Sequence, residues 1–201
     1  MDIASICPAA PVAELEAAAH RFGIDTPLRL SHWLAQMAHE SRGFEVTRES
    51  LNYSVAALLS LFGRHRISEA DAAQYGRTKD RPANQPALAN ILYGGKFGRE
   101  NLGNIEPGDG WKFIGRGFKQ LTGRGNYAAC GAGINLPLLE HREMLEQASG
   151  AALSAAWFWK SRGLNALADK DDIEGITRRI NGGTIGLAER KDWLARFKAA
   201  M

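Results

Sequence analysis

The chain has 201 residues, 45% of them hydrophobic and 23% charged, with a net charge of +3. That length can bury a core without staples, and that composition excludes extended disorder, a fibrous repeat and a disulfide-framed mini-domain. The positive balance favours approach to an anionic surface, yet no zinc-finger spacing, recognition-helix pattern or basic run interleaved with aromatics accompanies it, so no nucleic-acid partner is expected. The two cysteines, Cys7 and Cys130, form no CxxC pair and read as reduced thiols, with a single bridge between them as the alternative. The opening Met1-Asp2-Ile3-Ala4-Ser5 has neither a basic n-region nor an apolar h-region, so no signal peptide is expected. Ala151 to Trp159, the most apolar stretch, is far shorter than a bilayer requires, so no stable membrane insertion is expected.

In chain order, Val12, Leu15, Ala19 and Phe22 predict a first amphipathic helix. Leu30, Trp33, Leu34, Met37 and Ala38 recur at i, i+3, i+4, i+7, i+8 and predict a second, opened by Thr26-Pro27 and ended by Gly43. Between about Leu61 and Asn104 the texture changes to short helical signals separated by Gly, Asn, Pro and charges, which predicts a smaller helical lobe inserted into the main body. Trp111 to Leu121 is the only strand-like stretch, and Gly115 and Gly117 make it a short, bent hairpin. Ser149 to Trp159 is apolar nearly all round and predicts a central helix. Asp172 to Ile180 predicts a helix stopped by Asn181-Gly182-Gly183, and Leu187 to about Phe197 a last one with Leu187, Leu194 and Phe197 inward. The fold class is therefore all-α, as a single domain over 1–201, with a minimal hairpin.

Two carboxylates flank a turn in Ala38-His39-Glu40-Ser41-Arg42-Gly43-Phe44 and Thr47-Arg48-Glu49-Ser50-Leu51-Asn52-Tyr53-Ser54. Glycosidic cleavage needs one carboxyl to protonate the leaving oxygen and another to activate water or attack carbon, so paired acids are its minimum apparatus. Among 22 acidic residues such a pair is by itself more often solvated surface. Glu40, beside Met37 in the last helical turn, should be partly buried. Burial and the negative helix end would both raise its proton affinity toward that of a general acid. Glu49, in a polar loop beside Arg48, Asn52 and Tyr53, suits the base.

These two blocks resemble the active-site segments of glycoside hydrolase family 19, the group of plant-type chitinases and many phage and prophage endolysins. The resemblance extends through Tyr93-Gly94-Gly95, Gly108-Asp109-Gly110-Trp111, the run Gly115-Arg116-Gly117-Phe118-Lys119-Gln120-Leu121-Thr122-Gly123-Arg124-Gly125-Asn126-Tyr127, and Ile180-Asn181-Gly182-Gly183. Short length, few cysteines, Glu-Ser-Leu-Asn-Tyr-Ser and Gln-Leu-Thr-Gly bring it nearer to the endolysin branch. The resemblance implies a two-lobed, lysozyme-like fold, Glu40 as general acid, Glu49 as general base and Thr122 as the hydroxyl holding the attacking water. It also implies Gln120, Asn126 and Asn181 along the sugar cleft, an inverting mechanism and no cofactor, and Tyr53 and Trp111 join them as substrate-binding candidates. The family has an arginine beyond its Asn-Gly-Gly segment in the site's charge network. Arg190 either takes that part, orienting a catalytic carboxylate, or forms a structural ion pair with Glu174 or Glu189, or snorkels.

The remaining residues read more plainly. Trp33, Trp157, Trp159 and Trp193 sit at helical core spacing and are expected inside, whereas Trp111 is the sugar-stacking candidate. His39 lacks an HExxH or paired-ligand pattern, so no metal is expected. Arg178, Arg179, Lys191, Arg196 and Lys198 read as a solvated face. The function implied is lysis of a bacterial host by a monomeric peptidoglycan hydrolase, made in the host cytoplasm and dependent on a separate release protein, a holin, to reach the wall. Its alternatives are a chitinase of the same mechanism and a non-catalytic wall-binding protein, the last disfavoured because Glu40, Glu49 and Thr122 are all present.

Overall fold

The computed structural model describes residues 2–201 as short helices with only isolated β-bridges. In chain order these are α1 (Ile3–Ile6), α2 (Val12–Arg21), α3 (Pro27–Glu40), α4 (Val55–Leu61), α5 (Glu69–Tyr75), α6 (Gln85–Leu92) and α7 (Gly95–Phe97). Then follow α8 (Asp109–Lys112), α9 (Arg124–Ile134), α10 (Ala148–Ser161), α11 (Asn165–Ala168), α12 (Ile173–Asn181) and α13 (Leu187–Ala199). The mainly helical expectation holds.

Helix α3 is the axis of the main body. Thr26 accepts from the Arg29 N–H at 3.2 Å and Pro27 occupies the first turn, as the sequence cues require. Ser31 through Ala38 are all buried, with α13 and α10 packed against the helix. The helix stops at Glu40, three residues before the expected Gly43. The Ser41 hydroxyl donates to the Met37 carbonyl at 2.6 Å and accepts from the Phe44 N–H at 3.0 Å. Arg42, Gly43 and Phe44 then turn through left-handed conformations. Glu40 thus ends the helix on a tightly reversed chain.

Three apolar clusters hold the molecule together. The first joins α1, α2, α3, α10, α12 and α13 around Trp33 and Trp159. The second packs Leu88, Ala89 and Leu92 of α6 with Leu58 and Ala72, and takes Leu51 and Ile114 from outside the 61–104 segment. The third surrounds Tyr127, Cys130 and Ile134 of α9. Helix α10 serves the first and third together, with Leu153 touching both. Cys7 and Cys130 are free thiols in different clusters.

Two expectations need correction. Trp111 is not on a hairpin strand: Gly108 at φ +85 opens a single helical turn, and the Asp109 carboxylate accepts from the N–H groups of Ile105 and Glu106. Within 111–121 the one bridge is Arg116 with Leu121, exchanging two backbone hydrogen bonds across a turn at Gly117–Gln120, and Arg116 also bridges Arg48 outside it. Trp33 and Trp159 are fully buried, but Trp157 and Trp193 are only half-buried. The solvated-face reading holds in part, since Lys198 clamps Asp171 and Arg196 donates to the Ile6 carbonyl.

Candidate active site

The two carboxylates meet the same short segment, from Gly115 to Lys119. Glu49 lies in the loop before α4, where its backbone N–H donates to the Gly115 carbonyl at 2.9 Å. Its carboxylate accepts from the Gly115 N–H and, at 2.7 Å, from the Tyr93 hydroxyl. Four residues further along the segment, the Lys119 ammonium donates to Glu40 at 3.1 Å. Gly115 lets the chain approach closely here: a Cβ would stand 3.0 Å from the Gln120 side-chain oxygen and 3.2 Å from the Glu49 carboxyl carbon, so either side chain would have to shift.

Glu40 is held from its other side by Arg190 of α13, whose guanidinium reaches it at 2.5 Å. Arg190 is only 2% exposed, and its second arm donates to Gln36, which in turn donates to Thr177 at 3.3 Å. Arg190 therefore contacts Glu40 and neither of the two other acids weighed for it: Glu174 pairs with Arg178, and Glu189 lies beside His39. Burial pushes the Glu40 carboxyl up, but the charges and hydrogen bonds of Lys119 and Arg190 together outweigh it and hold the group below the usual range. The sequence expectation of raised proton affinity fails in the free protein, because a helix end and partial burial cannot compete with two cations in contact.

The neighbouring polar residues are fixed by local bonds. The Thr122 hydroxyl donates to the Gln120 carbonyl at 3.2 Å, the Gln120 amide to the Gly117 carbonyl at 2.9 Å, and the Asn126 amide to the Thr122 carbonyl at 2.7 Å. Gln120 sits at φ +55 and completes the turn. Tyr53 is half-buried, edge-on to Phe62, and its phenol is raised by burial and by Glu49. Trp111 is half-buried with the Arg48 guanidinium over its ring at 5.3 Å, so one face is already occupied. Asn181 is exposed and donates to the Ile185 carbonyl, a contact local to its own loop.

The sequence reading missed Tyr93 and Lys119. Tyr93 opens the Tyr93-Gly94-Gly95 block and is half-buried against Glu49, with its phenol pushed far above the ordinary range by burial first and by Glu49 second, so it remains a donor. Arg116, 6% exposed, fixes the turn from behind through Glu146 at 2.6 Å and the Tyr127 hydroxyl at 3.1 Å.

No family model matches the chain. A glycosyl hydrolase family 19 domain-containing protein of Haemophilus influenzae is 33% identical over 176 residues, 88% of this chain and 82% of that protein. An endochitinase of Arabidopsis thaliana is 37% identical over 75 residues, 37% of this chain and only 26% of the plant protein. Among solved structures, a bacterial family 19 chitinase aligns with a TM-score of 0.64 at 18% identity, over 98% of this chain and 91% of that one. Chitinase C of Streptomyces griseus aligns with a TM-score of 0.60 at 18% identity, over 98% and 74%. The fold is thus the mainly helical, lysozyme-like fold found in family 19 chitinases. The chain belongs to glycosyl hydrolase family 19, and its class of activity is that of a glycosidase.

Proposed function

We propose that the protein cuts β-1,4 glycosidic bonds in the glycan strands of bacterial peptidoglycan, with Glu40 as general acid and Glu49 as general base. The observation that carries this reading is the five-residue segment that touches both carboxylates, through Lys119 on one and Gly115 on the other. Glu49, supported by neutral donors only, is free to accept a proton from water. Glu40 starts between two cations and must take up a proton before it can serve the leaving oxygen; loss of Lys119 and exclusion of water on binding favour that uptake. The Thr122 hydroxyl, spent as a donor on Gln120, keeps lone pairs with which to accept from the attacking water. Gln120, Asn126, Tyr53, Trp111 and Asn181 are assigned to the sugar cleft.

The net charge of +3 supports approach to an anionic wall. In this reading the protein is a monomeric endolysin of a phage or prophage, made in the host cytoplasm and admitted to the wall by a separate holin. No helix among the described residues is long and apolar enough to cross a membrane.

Chitin is the second reading, favoured by the chitinase names of the structural relatives. Mass spectrometry of fragments from purified peptidoglycan, run beside chitin oligomers, separates the two. We expect new reducing ends in the peptidoglycan digest. Cleavage confined to the chitin oligomers would sink the first reading.

A further inference from the structure

Beside the Gly117–Gln120 turn lies a groove of about 210 Å³ whose walls include Thr122, Asn126, Trp157, Phe158, Lys119 and Arg162, and no acidic residue. Phe158 carries a cation at each of two positions: the Lys119 ammonium 5.2 Å and the Arg162 guanidinium 5.4 Å from its ring centre. Lys119 is shared with Glu40. Arg162 is exposed, and among the described residues its guanidinium has no carboxylate or carbonyl partner; its backbone N–H donates to the Phe158 carbonyl and its backbone carbonyl accepts from Arg179. An aromatic ring orients such a guanidinium without consuming its donors. Both cations line the same groove, and an anion bound there meets both charges and a planar fork suited to carboxylate.

We propose that Arg162 and Lys119 recognise a carboxylate on the substituent of the sugar bound beside Thr122 and Asn126. The preferred substrate is then an acid-substituted β-1,4 glycan, which rests on the peptidoglycan reading above. A neutral chitin chain has no group to place between these cations. Peptide-bearing sugars of the bacterial wall carry carboxylates on the side chain that projects from the strand. The groove thus selects on the branch, while the turn and the two glutamates act on the backbone.

The test compares kcat/KM on native peptidoglycan strands with kcat/KM on the same strands after their carboxylates are capped as methyl amides. The wild-type protein should favour native strands about tenfold, chiefly through KM, with the preference shrinking as salt is raised. R162Q should bring the ratio close to parity, and R162K, which keeps the charge but loses the planar fork, should restore only part of it. A second variant, S161E, puts an acid on the same wall and should depress cleavage of native strands more than of capped ones. Both positions are exposed, so unchanged melting temperatures are expected. An R162Q ratio equal to that of wild type, or a wild-type protein that cuts both strands equally well, overturns the subsite and leaves the proposed function standing. Failure to cut either strand while chitin oligomers are cleaved overturns both.

Discussion

Glu40 is the residue on which the chemistry turns, and its surroundings are more constrained than its sequence position suggests. E40Q keeps the shape of the side chain but can neither carry the proton nor answer the charges of Lys119 and Arg190. Glycan cleavage should fall below detection in this variant while circular dichroism stays native, and comparable turnover would refute the acid assignment. Arg190 has a structural part as well, since it joins α13 to Gln36 and Glu40 of α3. R190A leaves a carboxylate and an amide without their buried partner and should cost about 3 kcal/mol in urea unfolding. The Lys119 contact, 79 positions from Glu40, was not legible in the chain, and Arg190, 150 positions away, was offered as a partner only as one alternative, by the family resemblance. Choosing among the alternatives for Arg190 needed the fold, which brings α13 against α3.

Between elements, His32 of α3 is fully buried and meets Asp171, which Lys198 of α13 also grips at 2.6 Å. Burial lowers the His32 proton affinity, against the pull of Asp171 and with the help of Lys198. The folded protein therefore binds fewer protons at this site than the unfolded chain, and the histidine favours folding above its unfolded pKa of about 6.5. That contribution should fade as pH falls from 6.5 toward the depressed folded value. Asp171, held down by its hydrogen bond to Lys198, then loses its own contribution below about pH 4. Urea titrations between pH 7 and 5 should lose stability in wild type and lose distinctly less in H32Q. A second test at this scale is G115A, whose added methyl must displace Gln120 or Glu49. Turnover should drop at least tenfold with less than about 2 kcal/mol of destabilisation, and an active variant would show that the turn need not touch the base.

At the scale of the whole molecule, the acid stands on α3 in the first cluster, while the base is braced by Tyr93, which packs on the second. The junction between these bodies sets the separation of the carboxyls, and for inversion it should be roughly 6.5–9.5 Å. Proton NMR of early products from a β-linked substrate should then register the α-anomer first; a β-anomer would contradict inversion even if both glutamates proved essential. Helical class and the limits of α2, α12 and α13 were readable from caps and spacing, because those cues are local. The hairpin was overextended because Asp109 draws Trp111 into a helical turn through bonds to Ile105, Glu106 and Arg124. Trp157 was expected in the core, yet the two sides of α10 serve different clusters and leave this ring on the groove wall.

The sharing of Lys119 between Glu40 and the groove makes proton binding and anion binding thermodynamically linked. An anion that draws the ammonium toward Phe158 takes one counter-ion from Glu40, and a protonated Glu40 equally releases Lys119 to the anion. By reciprocity the two effects are equal in free energy. Binding of acidic glycan fragments should therefore take up protons, and the arming of the acid would be driven by the substrate it is to cleave. Calorimetry in buffers of differing ionisation enthalpy counts those protons: uptake should appear in E49Q, which cannot turn over, and vanish when E40Q is added. A binding heat independent of buffer would mean that Lys119 stays on Glu40 throughout.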